Sequence, residues 1–333
     1  MRVTINDGER VLEAEEGRPL LFTAMQNRIF IPSACGGRAS CGQCRVRVVS
    51  PRIEHLPEER SLLGPEEMAR GVHLACQCRV HSDLHIELPR GYLQARPYRG
   101  TVTSLRDVAR DMREIEVDLG DPSSMSFRAG QYVQFVLTGT ENDPQPVYRA
   151  YSMASPPSRA GRLTLLFSRV PGGACTSFVF ERLTLGQEVT VNGPFGSFYI
   201  REGRGPLVLV AGGSGIAPVR GMLLEMAERD AARPVTFLFS AHTRADLVYQ
   251  DDMSALESRL RSFRFIPVLS RPAADDRWEG ERGSLPAALV RLLPRLDQYE
   301  AYLCGGPGLI QASIEAMKSR GLADEHVFFD KFS

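Results

Sequence analysis

The alternation of apolar and polar positions runs in three successive rhythms along the chain. In the first, Val3-Thr4-Ile5 and Arg10-Val11-Leu12 flank Asn6-Asp7-Gly8, a strong turn signal, which predicts a hairpin. The stripe Leu20, Leu21, Ala24 predicts a short helix over 19–27. Further strands are expected at 45–49 and around 84–88. From about 98 to 200 strands dominate. The runs 115–119, 132–137, 163–168 and 188–191 lie between Gly- and Pro-rich turns and read as an antiparallel β-barrel. After Gly205 the rhythm changes. The uninterrupted apolar run 207–211 predicts a buried parallel strand. Helices at 218–229, 251–260, 285–292 and 307–320 alternate with strands at 235–239, 265–269 and 301–304, the signature of a parallel α/β domain. The expected organisation is a small β-sheet domain over 1–93, a barrel over 98–202 and an α/β domain over 205–333, with 89–97 as a linker.

Composition narrows the class. A length of 333 residues suits two or three domains. Lys+Arg and Asp+Glu both number 40, which gives no reason to expect nucleic acid or a membrane surface as a partner. No window approaches 18 uninterrupted apolar residues, so no membrane span is expected. The N-terminus reads as a strand and not as a signal peptide. The seven cysteines are an odd number, so a disulfide framework is not expected. The expectation is a cytoplasmic monomer.

Four of those cysteines carry the chemistry. Cys35, Cys41 and Cys44 form C-x5-C-x2-C, and Cys76 follows about thirty residues on, in Leu74-Ala75-Cys76-Gln77. Such a set suits an iron–sulfur cluster held by cysteine sulfur. Zinc is the alternative, but structural zinc sites usually pair two C-x2–4-C knuckles and only Cys41-x-x-Cys44 qualifies. Cys78 shares a strand face with Cys76, and spacing alone does not separate them. Glycines at Gly36, Gly37 and Gly42 let the loop wrap and aim N–H groups at the sulfurs. Elsewhere, Gly212-Gly213-Ser214-Gly215-Ile216-Ala217-Pro218 joins a strand to a helix, as a phosphate-binding turn does, with Pro218 suited to the first helical position. A second glycine turn, Cys304-Gly305-Gly306-Pro307-Gly308, has the same setting, so the pair predicts a dinucleotide cleft. Arg149-Ala150-Tyr151-Ser152 offers a guanidinium for phosphate and a ring for stacking. Pro171-Gly172-Gly173-Ala174-Cys175-Thr176-Ser177 offers amides and hydroxyls, although each of these two segments alone reads as a strand or turn. His55, His73, His81, His85 and His326 read as surface or structural residues.

Together these segments resemble the three-domain, ferredoxin-containing reductases of the ferredoxin–NADP reductase superfamily, in the same order and over essentially the whole chain. R-A-Y-S resembles that superfamily's R-x-Y-S flavin motif, P-G-G-A-C-T-S its flavin diphosphate motif, G-G-S-G-I-A-P its nicotinamide-nucleotide turn and Y-L-C-G-G-P its C-G-P-P motif. The resemblance implies an N-terminal β-grasp 2Fe–2S ferredoxin domain, an FAD-binding barrel and an NAD(P)H-binding α/β domain. It assigns the cluster to Cys35, Cys41, Cys44 and Cys76, leaving Cys78 a packed or half-exposed free thiol. Arg149, Tyr151 and Ser152 would hold FAD, with Tyr151 against the flavin ring. Gly172, Gly173, Thr176 and Ser177 would meet its pyrophosphate. Gly213, Gly215 and Pro218, with Gly305 of the second turn, would bind NAD(P)H. Cys304 would sit by the nicotinamide, and Phe332 would approach the flavin. Departures are Cys175, His242 where NADH-using relatives carry arginine, and Gly306 and Gly308 in place of proline and methionine. Trp278-x-Gly280 is given a structural reading. NADH is preferred to NADPH because of the acidic Asp246 near the expected ribose. The spacing and the L-A-C-Q segment are similar to the quinone-reductase branch of the family, the flavin- and cluster-bearing component of sodium-translocating NADH:quinone reductases. With no membrane helix, the resemblance favours reductase components of multicomponent oxygenases, taking electrons from NADH through FAD to the cluster and on to an oxygenase component docking at the ferredoxin domain. Other acceptors are a corrinoid protein, a quinone-linked complex or a free ferredoxin, and a redox sensor is the non-enzymatic alternative. Arg38, Arg45 and Arg52 are candidates for steering an acidic partner.

Overall fold

The computed structural model of the protein describes residues 1–33, 35–137, 146–272 and 277–332. Ser333, the last residue of the expected third segment, lies outside them.

The N-terminal module begins with β1 (Arg2–Ile5) and β2 (Arg10–Glu13), paired antiparallel with Val3 opposite Leu12. The turn between them holds Asn6 and Asp7 at positive φ, as the sequence expects of an Asn-Asp-Gly turn. Then come α1 (Leu20–Gln26), β3 (Arg45–Ser50), α2 (Pro57–Arg60), α3 (Pro65–Ala69), β4 (Val72–Leu74) and β5 (Leu84–Glu87). The sheet order is β2-β1-β5-β3-β4, with β1 and β5 parallel and α1 across it, a β-grasp. Leu20, Leu21 and Ala24, the predicted stripe, are fully buried against Val3, Ile5 and Leu74.

The expected linker is not featureless. It contains α4 (Arg90–Gln94) and leads directly into β6 (Arg96–Ala109). After β6 come β7 (Met112–Asp121), β8 (Tyr132–Leu137), β9 (Val147–Ser152), β10 (Arg162–Ser168), α5 (Ala174–Glu181) and β11 (Glu188–Phe195). The order β10-β7-β6-β11-β8-β9 is antiparallel throughout, and a bridge from Met153 to Leu165 joins its two edges. The segment 171–177, read as a turn, ends in the first turn of α5. Periodicity missed that helix because it is short and caps the barrel with only one buried stripe, Cys175, Thr176 and Val179.

The third module contains β12 (Leu207–Gly212), α6 (Ile216–Glu228), β13 (Val235–Ala241), α7 (Gln250–Arg259), β14 (Phe263–Leu269), β15 (Glu281–Arg282), α8 (Leu285–Leu292), β16 (Glu300–Gly305), α9 (Pro307–Lys318) and β17 (Val327–Lys331). All strands are parallel in the order β15-β14-β13-β12-β16-β17. The continuous apolar run of β12 is explained by burial on both faces: Leu207, Leu209 and Ala211 join one core and Val208 and Val210 another. α6 starts at Ile216, so Pro218 occupies the third helical position and not the first. Its missing N–H is still among the first four that have no partner within the helix.

The three modules share cores. Phe30, Ala95, Tyr132 and Phe195 join the ferredoxin module to the barrel. Ala129, Ala154, Leu166 and Phe198 of the barrel pack with β12 and α6. Gly221 of α6 lies so close to the chain after β9 that an added Cβ would be 3.0 Å from the Met153 carbonyl oxygen.

Candidate functional site

The cysteine loop follows α1 and ends at β3, while Cys76 follows β4. The strands β3 and β4 pair with Arg45 opposite Leu74, which sets Cys44 beside the segment carrying Cys76. The bond from Ala75 N to Cys44 O, 2.7 Å, fixes the approach. The sulfurs come together two and two. Cys41 Sγ donates to Cys35 Sγ at 3.4 Å, and Cys44 and Cys76 form the second pair, brought together by the bond from Ala75 N to Cys44 O. Two pairs of thiols suit a two-iron cluster held by four cysteines. The Cys35 thiol is lowered to about 3, first by the Cys41 bond and then by the amides of Ser40, Cys41 and Arg38. Cys76 falls to about 7 through Cys44, then the Gln77 side chain and the Ala39 amide. Cys41 and Cys44 are pushed up by the same bonds and by burial. Amides aimed at thiolates are the second coordination layer such a cluster requires. Cys78 is buried and its thiol is pushed up to about 12, chiefly by burial, so it is a packed residue.

The loop lies on the barrel's β8–β9 edge. A Cβ on Gly36 (φ +66) would be 2.7 Å from Arg149 Nη1 and 3.2 Å from the Tyr148 carbonyl oxygen. Tyr132 donates to Gln43 Oε1 at 3.2 Å, and the buried Gln134 donates to Ser33 O at 3.3 Å. The expected cluster loop and the R-x-Y-S segment are therefore in direct contact. Arg149 is half-buried and bonds the Tyr148 carbonyl at 2.8 Å. Tyr151 faces the mouth of the barrel, its ring 3.9 Å from that of Phe167 and its hydroxyl 3.4 Å from Cys175 Sγ. Ser152 is buried opposite Tyr132.

At the start of α5, Gly172 (φ +70) faces open space, and a Cβ there would meet nothing within 4 Å. Ser177 is half-buried. Thr176 differs from expectation. It is buried, and its hydroxyl is spent on Val170 N and O and on Gly173 O, at 3.1–3.2 Å. It shapes the turn instead of facing a ligand. An Arg149 guanidinium beside a helix N-terminus with a bare glycine turn fits a diphosphate.

The two glycine turns interlock at the carboxyl edge of the α/β sheet. β12 pairs with β13 on one side and β16 on the other, so the crevice between β12 and β16 is the point where strand order reverses. A Cβ on Gly215 would lie 2.3 Å from Cys304 O, and one on Gly212 would strike Leu309 at 2.5 Å. Gly213 (φ +55) and Gly305 (φ +143) occupy backbone conformations that favour glycine. Gly306 faces open space. Cys304 has no exposed surface, and burial pushes its thiol well up. Phe332 is tied to the same turn by the bond from its N to Gly305 O, 2.9 Å. Asp246 Oδ2 accepts from Thr243 N and Oγ1 at 2.9 and 2.8 Å, so that oxygen caps a turn. Trp278 donates to Glu281 O at 2.9 Å and packs on Gly280, in keeping with a structural role.

Sequence reasoning missed a cleft of about 1410 Å³ at the meeting of the three modules, lined by Cys41, Gln43, Tyr132, Phe198, Phe328 and Asp330 among others. Burial raises the Asp330 carboxyl to about 6. The only hint was an acid set between aromatics in Phe328-Phe329-Asp330-Lys331-Phe332. Of the three arginines considered for steering, Arg45 is held by the carbonyls of Gly42 and Leu62 and by Glu67, and braces the loop. Arg38 and Arg52 are both exposed.

A family model described as a 2Fe-2S iron-sulfur cluster binding domain matches residues 3–81, one described as an oxidoreductase FAD-binding domain matches 99–200, and one described as an oxidoreductase NAD-binding domain matches 209–315. The chain is 33% identical over 341 residues to the reductase component DmpP of phenol 2-monooxygenase from Pseudomonas sp. (strain CF600), covering 99% of this chain and 94% of that one. It is 31% identical over 368 residues to a component, designated F, of the Na(+)-translocating NADH-quinone reductase of Neisseria meningitidis, covering 98% and 90%. The crystal structure of the Amycolatopsis cytochrome P450 reductase GcoB superposes with a TM-score of 0.80 at 29% identity, covering 99% of this chain and 98% of that one. The chain belongs to the three-domain, ferredoxin-containing reductases of the ferredoxin–NADP reductase superfamily. It is an NAD(P)H-dependent iron–sulfur flavoprotein oxidoreductase whose cofactors are a 2Fe–2S cluster, FAD and a nicotinamide dinucleotide. Among the described residues no helix is long and apolar enough to cross a membrane.

Proposed function

We propose that this reductase carries electrons from NADH through FAD to its 2Fe–2S cluster and on to the oxygenase component of a multicomponent monooxygenase or dioxygenase. The observation that supports this reading is the packing of the cysteine loop onto the R-x-Y-S strand at Gly36 and Arg149, the segments proposed to hold the cluster and the flavin. FAD, when bound, links the two-electron chemistry of NADH to the one-electron chemistry of the cluster. The chain's own part is to bind, orient and insulate. Cys35, Cys41, Cys44 and Cys76 hold the irons. Arg149, with Gly172, Gly173 and Ser177 at the start of α5, takes the flavin diphosphate, Thr176 shapes that turn, and Tyr151 and Ser152 flank the flavin. Gly213, Gly215, Pro218 and Gly305 line the nicotinamide-nucleotide crevice, with the closed Cys304 beneath it and Phe332 at its edge. NADH is the proposed coenzyme, as the name of the Neisseria relative also states for that protein.

The partner docks at the ferredoxin module, where Cys41 is the one proposed ligand not fully buried. The reductase works as a cytoplasmic monomer built of domains 1–93, 98–202 and 205–333. The test is the visible spectrum of the purified protein before and after anaerobic addition of NADH. Flavin and iron–sulfur bands that bleach together are expected. Flavin bands alone, in protein that contains no iron, would overturn the cluster assignment.

A further inference from the structure

Two ionisable side chains of the ferredoxin module are buried and take no part in the cofactor sites described above. Glu59 is 1% exposed and His73 2%. Glu59 sits in the first turn of α2, and its carboxylate is a three-way clamp. One oxygen accepts from Leu56 N at 2.9 Å. The other accepts from Leu74 N at 2.7 Å and from His73 Nδ1 at 3.2 Å. The His55 ring stacks parallel on His73 at 4.0 Å and donates its own Nε2–H to Val72 O at 2.8 Å, which fixes the His73 ring from behind.

The clamp closes on the strand that leads to Cys76. Leu74 N is bonded to Glu59, Leu74 lies opposite Arg45, and Ala75 N bonds Cys44 O. The carbonyl of Leu74 receives Gln77 N and Cys78 N at 2.8 and 2.9 Å, which turns the chain at Cys76. Glu59 therefore pins the end of β4 that leads to Cys76, and the bond from Ala75 N to Cys44 O ties that end to Cys44. A buried carboxylate is costly, and a well-packed apolar residue would give equal or greater stability. Burial raises this carboxyl, but the bonds from His73, Leu56 and Leu74 outweigh it, so it stays below the usual carboxylate range and is ionised at neutral pH. Its field reaches the neighbouring Cys78 thiol.

We propose that Glu59 is a positioning residue for the cluster, setting the Cys44–Cys76 pair through Leu74 while its buried negative charge lowers the cluster's affinity for an electron. This rests on the assignment of Cys44 and Cys76 as ligands. Two variants separate reach from charge. Glu59→Asp keeps the charge but shortens the side chain, so it cannot span Leu56 and Leu74. Glu59→Gln keeps the length and removes the charge.

The experiment is an EPR-monitored redox titration of the full-length protein, with iron and flavin content and thermal stability measured in parallel. For Glu59→Gln the reduced-to-oxidised ratio of the cluster at fixed potential should rise about tenfold, the scale set by removing one buried charge, which for a one-electron couple corresponds to about 59 mV. For Glu59→Asp the expected result is faster iron loss and a broadened EPR signal, with the flavin potential unchanged in both variants. A Gln variant that keeps its flavin and the parent's thermal stability but holds no iron also supports the positioning role. Variants that lose thermal stability yet hold iron at the parent's potential and line shape would show Glu59 to be purely structural and overturn the inference. A parent protein with no reduced-cluster signal would instead remove the ligand assignment, and the inference with it.

Discussion

Replacing Gly215 with alanine tests the interlock of the two glycine turns. The residue has φ −60° and ψ −12°, which alanine adopts without strain, so backbone preference plays no part in the outcome. The effect is purely steric. The new Cβ would lie 2.3 Å from Cys304 O, 2.6 Å from Cys304 C and 3.0 Å from Gly305 N. All three atoms are backbone at the end of the neighbouring parallel strand, so no side chain can rotate away. Ordinary contact begins near 3.4 Å, and β16 must therefore move by roughly 1 Å relative to α6. Overpacking of this kind costs about 1–3 kcal/mol. In a domain of this size that corresponds to a fall in Tm of roughly 5–10 °C. The same movement widens the crevice, and loss of about 1.4 kcal/mol of coenzyme binding raises Kd for the dinucleotide about tenfold.

The control is Gly308→Ala in the first turn of α9, where a Cβ meets nothing within 4 Å. That change should raise stability by about 0.4–1 kcal/mol by restricting the unfolded chain. Calorimetry and an NADH titration of the flavoprotein read both quantities. A Gly215→Ala protein with the parent's Tm and the parent's affinity for NADH would refute the interlock.

Cys76→Ala should abolish the iron–sulfur spectrum, whereas Cys78→Ala should keep full iron and lose about 1 kcal/mol of stability from a vacated buried site; iron assay and thermal melts decide. Asp330, whose carboxyl is raised to about 6, binds more protons folded than unfolded between roughly pH 4 and 6, so its contribution to stability is lost as pH rises through that window. Asp330→Asn should therefore gain about 1–2 kcal/mol over the parent at pH 7 and little at pH 4, with solvent screening of a half-buried group already allowed for. A constant difference across that range would count against the burial argument. Arg38→Glu should slow reduction of an acidic partner protein while leaving NADH-driven ferricyanide reduction intact, and equal slowing in both assays would show damage to the loop, where Arg38 also bonds Cys35 O at 3.0 Å.

Most of the architecture was legible because each module has its own period. Alternation gave the hairpin Val3–Leu12, and the apolar run at Leu207 gave a strand buried on both sides. What escaped were elements whose burial is set by distant parts of the chain. α5 is eight residues long and amphipathic only against the barrel mouth. β17 is a short edge strand, and all five of its residues line the mixed cleft. Candidate site residues were legible where the backbone requires a residue type, as at Gly215 and Gly305. They were not legible where only the partner atom decides the role. Thr176 looks like a ligand in sequence, yet its hydroxyl is spent on Val170 and Gly173, and one oxygen of Asp246 is taken up by Thr243. Arg45 looks like a free surface charge and is a brace. Glu59 looks like one more acid in a polar stretch, and its burial depends on β4 folding back over α2.

The central claim is that electrons pass from NADH to the flavin and then to the cluster within one chain. The most direct measurement is anaerobic rapid mixing of the full-length protein with one equivalent of NADH, following flavin absorbance in time and freezing samples for EPR. The account predicts flavin bleaching first, followed by the signal of a reduced 2Fe–2S cluster in the same protein and its loss in Cys76→Ala. Rapid flavin bleaching in iron-replete protein with no cluster signal at any time would contradict it.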